Sequence, residues 1–240
     1  MSFQDRLHRM RILRRNMGPA RIYAPTRRWR PEGRPDVVLL QGFGTGPITM
    51  HPLARSLEEE HGLVCCVPRL GGMLGYLQTR GVGRAGKTLA EFLASLPPGS
   101  RPWLVGHSIG GVIAREAIQR SGASSSIAGL VTIGCPHRGT PAAIAGLVTG
   151  MGLLSFGPWQ MVPGAPTLRR LNGLPWPEDL PLISIVSSGD LLCPPRCGSL
   201  PYEATSSLRE LKVEGLGHTE MLRDPGVIAR VAELVRQPSV

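Results

Sequence analysis

Apolar residues recur in this chain with two spacings. From Asp36 onward, short unbroken apolar runs alternate with stretches in which apolar residues return every three or four positions. The runs cover residues 37–41, 63–67, 103–106, 127–133 and 181–187 and end at punctuation such as Gly42 and Pro68, while 208–213, with Arg209, Glu210 and Lys212 among its apolar residues, reads as the last strand. The helical stretches cover 48–60, 85–96, 109–120 and 227–235; Pro97-Pro98-Gly99 stops the second of them. Runs that are apolar at every position suit strands buried on both faces. Strands alternating with helices at this spacing predict an α/β fold: a central, mostly parallel sheet of about six to eight strands with helices on both faces. In such sheets the chemistry sits at the carboxyl ends of the strands, so the residues that follow each strand carry the functional information.

The first 35 residues follow a different pattern. Phe3, Leu7, Met10, Leu13 and Met17 stand at helical spacing with Arg between them, which predicts one amphipathic helix. Pro19, Pro25, Pro31 and Pro35 then keep the chain extended. The organisation expected is a basic arm over 1–35 and one domain over 36–240, with a flap at about 139–180. At 240 residues the chain is long enough for one full core and short for two. With 42% hydrophobic and 18% charged residues, a long disordered protein is excluded.

The net charge of +10 changes this picture only at the arm. Ten Arg lie in residues 1–35 against Asp5 and Glu32, whereas the rest of the chain is nearly neutral. The arm is solvated, packed on the body, in contact with an anionic membrane surface, or an Arg-rich targeting segment. Nucleic acid is disfavoured, because no recognised motif accompanies the charge. The five cysteines, 65, 66, 135, 193 and 197, are odd in number and scattered, so no disulfide framework is expected. Cys193 and Cys197 lack a second pair of ligands, and no metal is expected. The first 20 residues show no apolar signal-peptide core. The uncharged stretch 139–168 holds six Gly and four Pro, a poor spanning helix. A cytoplasmic protein, at most peripheral to a membrane, is the expectation.

Gly106-His107-Ser108-Ile109-Gly110-Gly111 follows a predicted strand and opens a predicted helix. In that setting G-x-S-x-G is a sharp turn that presents the Ser108 hydroxyl, with small neighbours letting strand and helix approach closely. Ser108 also stands at a helix N-terminus, where free N–H groups favour negative charge, and Ile109 N–H can serve an oxyanion. A serine nucleophile needs a base, and the base an orienting acid, here in the chain order Ser, acid, His. Only His137 and His218 follow Ser108, and His218 lies just past the last strand. Asp190 follows the strand before it, while Glu178 and Asp179 precede that strand and Glu203 is the fallback acid. The second oxyanion donor should come from the glycine-rich turn after the first strand, with Phe43 N–H the candidate. His137 reads as a loop-fixing residue beside Arg138; His51 and His61 are given no role.

The residues Leu39-Leu40-Gln41-Gly42-Phe43-Gly44, Gly106-His107-Ser108-Ile109-Gly110-Gly111, Gly134-Cys135-Pro136-His137-Arg138-Gly139-Thr140-Pro141, Asp190 and Gly217-His218 resemble the small bacterial lipases and esterases of the α/β-hydrolase superfamily. The resemblance spans 37–222. It implies a cofactor-free serine carboxylic-ester hydrolase with Ser108 as nucleophile, His218 as base and Asp190 as acid, and with Phe43 and Ile109 at the oxyanion hole. It departs from the family at Gln41-Gly42, where His-Gly is usual. An acyltransferase using the same triad stays open, as does a hydrolase fold without activity, for which Gln41 is the motive.

The uncharged stretch 139–168 leaves one strand and returns for the next, so it should lie over the site as an apolar flap or pack at the sheet edge. Either arrangement gives an apolar wall and favours a hydrophobic ester or lipid substrate. A rival motif, Gly81-Val82-Gly83-Arg84-Ala85-Gly86-Lys87-Thr88, matches the phosphate-cradling loop pattern. It lacks a buried strand before it, and residues 84–88 read instead as the start of a helix.

Overall fold

Six short strands pair side by side: β1 (Val37–Leu40), β2 (Cys65–Cys66), β3 (Trp103–His107), β4 (Gly129–Ile133), β5 (Leu182–Ser187) and β6 (Leu208–Val213). Their order is β2-β1-β3-β4-β5-β6 and every pairing is parallel. This is a computed structural model of the chain, and it describes residues 33–72, 79–148, 155–203, 205 and 207–236. The predicted helix over 3–17 and nearly all of the basic arm lie outside the described residues, as do 149–154 of the expected flap.

Alternate side chains of each strand enter opposite cores. Val38, Leu40, Leu104, Leu130 and Leu182 face one side, where they meet α2 (Val82–Ser95) and α3 (Ile109–Arg120). Val37, Leu39, Trp103, Val105, Val131, Ile133, Ile183 and Ile185 face the other, against α1 (His51–Glu59) and α8 (Pro225–Arg236). The period-2 alternation of a strand therefore supplies both cores, which is why the runs read as continuously apolar. Between β4 and β5 lie α4 (Pro141–Val148), α5 (Gly157–Met161) and α6 (Pro166–Asn172); α7 (Pro195–Gly198) follows β5.

The elements stand close to their predicted positions, with three differences of physical origin. The run 63–67 yields only Cys65–Cys66 as strand. Leu63 N–H is taken by Leu57 O and Val64 N–H by the Asp36 carboxylate, so these amides are spent before the sheet begins. The helix expected from 48 opens as a 3₁₀ turn over Pro47–Met50, and α1 starts at His51. Pro52 has no N–H to give back to Ile48 O, so it fits only in a first turn. Helix α2 begins at Val82, three residues early, because Gln160 Oε1 accepts the Val82 N–H at 2.8 Å and caps it.

The phosphate-loop pattern dissolves into that helix. Gly81 is its extended cap, and Gly83 and Gly86 are helical. A Cβ on Gly86 would lie 2.6 Å from Glu116 Cγ, so this glycine lets α2 lie close on α3. No helix among the described residues is long and apolar enough to cross a membrane.

The chain runs from β1 outward to β2, then returns across β1 to β3. The connections therefore diverge at the carboxyl ends of β1 and β3, the crevice where open parallel sheets bind ligands. The turn Gly42-Phe43 and Ser108 both stand there.

Candidate active site

Ser108 is the one non-glycine residue with positive φ among the described residues, at φ 54° and ψ −130°. The sequence enforces this conformation through its neighbours. A Cβ on Gly106 would stand 2.5 Å from Gly111 N, and one on Gly110 would stand 2.4 Å from Leu40 O. Any side chain at either position would push α3 away from the sheet. The Ser108 N–H is spent on Ile133 O at 2.9 Å, which leaves the side chain outside the sheet. Ile109, next in the chain, is the first residue of α3, and its N–H has no acceptor within the helix. Strained non-glycine residues of this kind collect at functional sites.

Asp190 lies just past β5 and is buried. Its Oδ1 accepts N–H bonds from Leu192 at 2.9 Å and Cys193 at 2.7 Å. Its Oδ2 stands 2.7 Å from His218 Nδ1. With Oδ2 as the acceptor, the hydrogen of this bond sits on the ring at Nδ1. His218 Nε2 is left with its lone pair. The supporting backbone is close-packed: a Cβ on Gly189 would lie 2.5 Å from the carbonyl carbon of Gly215. Ser187 Oγ donates to Leu216 O at 2.6 Å, and Gly217 N–H donates to Glu220 Oε2 at 2.6 Å. Of the acids weighed in the sequence, it is Asp190 that meets His218; Glu203 does not, and Glu178 and Asp179 lie before β5, at the other sheet end.

Ser108 and His218 open into one cavity of about 290 Å3, with Gly42 and Phe43 on its rim. Among the described residues, no Asp, Glu, Lys or Arg lines it. Gly42 lies against the nucleophile turn: a Cβ there would sit 3.3 Å from Ser108 Cβ. Thr45 Oγ1 donates to Gly42 O at 2.9 Å and folds the turn back on itself. From the uncharged stretch, Ala142, Ala143 and Gly146 of α4 and Gly157, Pro158 and Met161 of α5 form cavity wall. Helix α5 is seated on the Phe43 ring, for a Cβ on Gly157 would come 2.6 Å from Phe43 Cδ2. Gln41 is buried with its Oε1 unpartnered.

Two features of the site gave no clear signal in the sequence, and of a third only His137 was read, as a loop-fixing residue. His107 is buried between Gly42 and His218. Gly134, at φ +55°, backs the Asp190–His218 pair. The third is a polar cluster around His137. Arg115, fully buried, donates to Asn172 Oδ1 at 2.9 Å and to the Tyr202 hydroxyl at 2.6 Å, and its Nη1 lies 3.3 Å from His137 Nδ1. Arginine only donates, so His137 Nδ1 accepts and its Nε2–H donates to Thr132 Oγ1 at 3.0 Å. Burial, then the charges of Arg115 and Arg138, hold His137 well below the usual imidazole range, so it stays neutral. Thr140 Oγ1 donates to Leu192 O and Arg138 to Leu200 O, so the segment after β4 is bonded to the loop that carries Asp190. Burial also raises the Cys193 thiol, which lines the cavity as a neutral group. Among the described residues, no three His, Cys, Asp or Glu side chains gather as a metal site.

Comparison with known proteins bears on the frame around this site. Residues 86–151, which include the Ser108 turn, match the model of the PGAP1-like alpha/beta domain. No curated protein sequence matches the chain. Among solved structures, a mature lipase of Bacillus licheniformis superposes with a TM-score of 0.67 at 12% identity, over 87% of this chain and 94% of that one. A monoacylglycerol lipase of Paleococcus ferrophilus gives 0.60 at 17% identity, over 85% and 95%. A hydrolase of Oleispira antarctica gives 0.63 at 16% identity, over 96% and 98%. The parallel sheet, the strained strand-to-helix turn at Ser108 and these superpositions together show that the chain has the α/β-hydrolase fold.

Proposed function

We propose that the chain is a serine carboxylic-ester hydrolase acting on hydrophobic acyl esters through an acyl-enzyme. The observation that carries this reading is the strained Ser108 facing the same cavity as an imidazole held by a buried carboxylate. In the mechanism, Ser108 Oγ attacks the ester carbonyl carbon while its proton passes to His218 Nε2. The carbonyl oxygen becomes an oxyanion and takes N–H bonds from Phe43 and Ile109. The imidazolium is stabilised by Asp190 and then protonates the leaving alcohol. Water follows the same route in reverse roles: His218 takes its proton, the hydroxide attacks the acyl carbon, and Ser108 leaves with the proton restored. No step needs a cofactor.

The cavity, which no charged side chain lines among the described residues, supports a neutral, apolar acyl or alcohol group. The described residues of the segment 139–180 serve as the flap over this site, within a catalytic domain taken as 36–240. The flap and the loop that carries Asp190 present apolar residues outward beside the cavity. Phe156 is 74% and Trp159 56% exposed, flanking wall residues Gly157 and Pro158, and Leu191, next to wall residue Leu192, is 88% exposed. An exposed apolar rim around the mouth of a site supports contact with a lipid surface, to which the basic arm adds attraction for anionic lipid.

The test is covalent labelling by a fluorophosphonate probe, with wild type beside Ser108→Ala. Labelling of wild type alone, together with release of p-nitrophenol from short-chain esters, is the expected result. An unlabelled wild type, both with and without detergent, would refute the assignment. Adding an alcohol acceptor separates hydrolysis from acyl transfer, which would appear as transfer exceeding hydrolysis.

A further inference from the structure

One buried imidazole beside the site has no part in the chemistry proposed above. His107 ends β3, one residue before Ser108, and is 4% exposed. Its Nε2 lies 3.0 Å from the carbonyl oxygen of His218. A carbonyl oxygen only accepts, so Nε2 carries the hydrogen and Nδ1 the lone pair. The two imidazole rings lie 4.6 Å apart, centroid to centroid, tilted by 47°. On the opposite side, a Cβ on Gly42 would stand 3.1 Å from His107 Nδ1. The ring thus fills the space between the turn at 42–43 and the loop at 217–218.

That loop is held at three successive residues. Leu216 O accepts from Ser187, Gly217 N–H donates to Glu220, and His218 O accepts from His107. The last of these bonds acts on the main chain of His218 itself.

We infer that His107 is a positioning residue: its Nε2–H fixes the main chain of His218, so that the His218 ring faces Ser108 while Nδ1 stays on Asp190. The inference rests on the catalytic reading of Ser108 and His218 given above. It explains why the bulky residue before the serine is an imidazole. The ring spans a gap that a shorter side chain leaves open, and it delivers one donor to a carbonyl. It also stays neutral: burial, and then His218, lower it to about 4, with the bond to the His218 carbonyl and the charge of Asp190 opposing. A neutral neighbour adds no repulsion when His218 takes the proton of Ser108. Misplacing a reacting group by about 1 Å costs roughly 10²-fold in rate, which sets the scale of the effect.

The test compares wild type, His107→Gln and His107→Met on a p-nitrophenyl ester across pH, with melting temperatures to establish folding. Gln keeps an N–H donor at a comparable reach; Met keeps the bulk without the donor. For His107→Met, kcat should fall about 10- to 100-fold with KM within about twofold. His107→Gln should stay within about threefold of wild type. A Met variant with wild-type kcat, or a Gln variant as impaired as Met, overturns the inference. Nitrogen-15 spectra of histidine-labelled wild type give an independent reading: His107 should be the neutral Nε2–H tautomer, and an Nδ1–H tautomer overturns the inference even if the Met variant does not fold. A wild type inert toward the fluorophosphonate defeats the catalytic reading too; a reactive wild type with an unimpaired Met variant defeats this one alone.

Discussion

Gly134 abuts Asp190 so closely that a Cβ on the glycine would stand 2.9 Å from Asp190 Oδ2, and 3.0 Å from His218 Nδ1 as well. Gly134 follows β4 directly, in the left-handed region at φ +55°, and its N–H donates to Ile185 O at 3.0 Å. The position therefore admits no side chain for two separate reasons, one of backbone and one of space. Gly134→Ala should destabilise the fold by about 1–3 kcal/mol, through strain at positive φ. It should lower kcat by more than that strain alone implies, by about 10²-fold, because the methyl group wedges into the Asp190–His218 contact. Paired denaturation and ester-hydrolysis measurements check this. A stable variant with wild-type kcat would mean that the contact is not needed.

The role of Asp190 is separable from its charge. In Asp190→Asn, the remaining carbonyl oxygen can still accept from Leu192 and Cys193. The amide nitrogen would then donate to His218 Nδ1 and drive the ring hydrogen to Nε2, the atom that should take the proton of Ser108. The expected result is a folded protein whose kcat falls on the order of 10³- to 10⁴-fold, with KM nearly unchanged. A loss below tenfold would show that His218 finds its tautomer without Asp190.

Much of this architecture was legible in the chain itself, and the reason is local. Ser108 and Asp190 follow largely apolar strands and His218 follows the last strand of the sheet, so hydrophobic pattern and glycine punctuation pointed to all three positions. His107, Gly134 and Arg115 matter through partners far away in sequence. His107 meets a carbonyl 111 residues on, and Arg115 meets Tyr202 87 residues on. Nothing in hydrophobic spacing encodes such pairings. The shortened β2 has the same origin. Asp36 and Glu58 take the amides of Val64 and Cys65, and a pattern of apolar positions does not register where a carboxylate points. Gly81–Thr88 shows the converse, a chemical motif whose glycines serve helix packing.

Two buried histidines make stability depend on pH. His107 is lowered from 6.5 to about 4, mainly by burial, and His137 is lowered well below 6.5 for the same leading reason. Between the unfolded and folded values, the unfolded chain binds more protons than the folded one, so stability rises with pH there. The stability is complete above about pH 6.5 and is lost as pH falls toward 4. For His107 alone the window amounts to about 3 kcal/mol, at about 1.4 kcal/mol per pH unit. Urea denaturation at intervals from pH 8 to pH 5 should show the midpoint falling below pH 6.5, and His107→Gln should flatten that slope. A midpoint unchanged over this range would mean that both imidazoles take up protons in the folded state as readily as in the unfolded chain.

The outward apolar residues around the cavity mouth predict a difference between dissolved and aggregated substrate. Phe156, Trp159 and Leu191 are exposed, while the neighbouring Gly157, Pro158 and Leu192 are cavity wall. Inserting large apolar side chains into lipid gains about 1.5–3 kcal/mol each when burial is complete. Three partly inserted residues would together change partitioning by about 10²-fold or more. Combined substitution of Phe156, Trp159 and Leu191 by Ser should therefore leave hydrolysis of a monomeric short-chain ester within about twofold of wild type. The same variant should lose at least about tenfold in activity on an ester dispersed in vesicles, and in vesicle binding measured by sedimentation. Wild-type binding should strengthen with anionic lipid and weaken with salt if the basic arm contributes, since screening acts on exposed charges. Equal losses on both substrates would assign these residues to the shape of the site instead. Vesicle binding unchanged by the substitutions would place the membrane contact elsewhere.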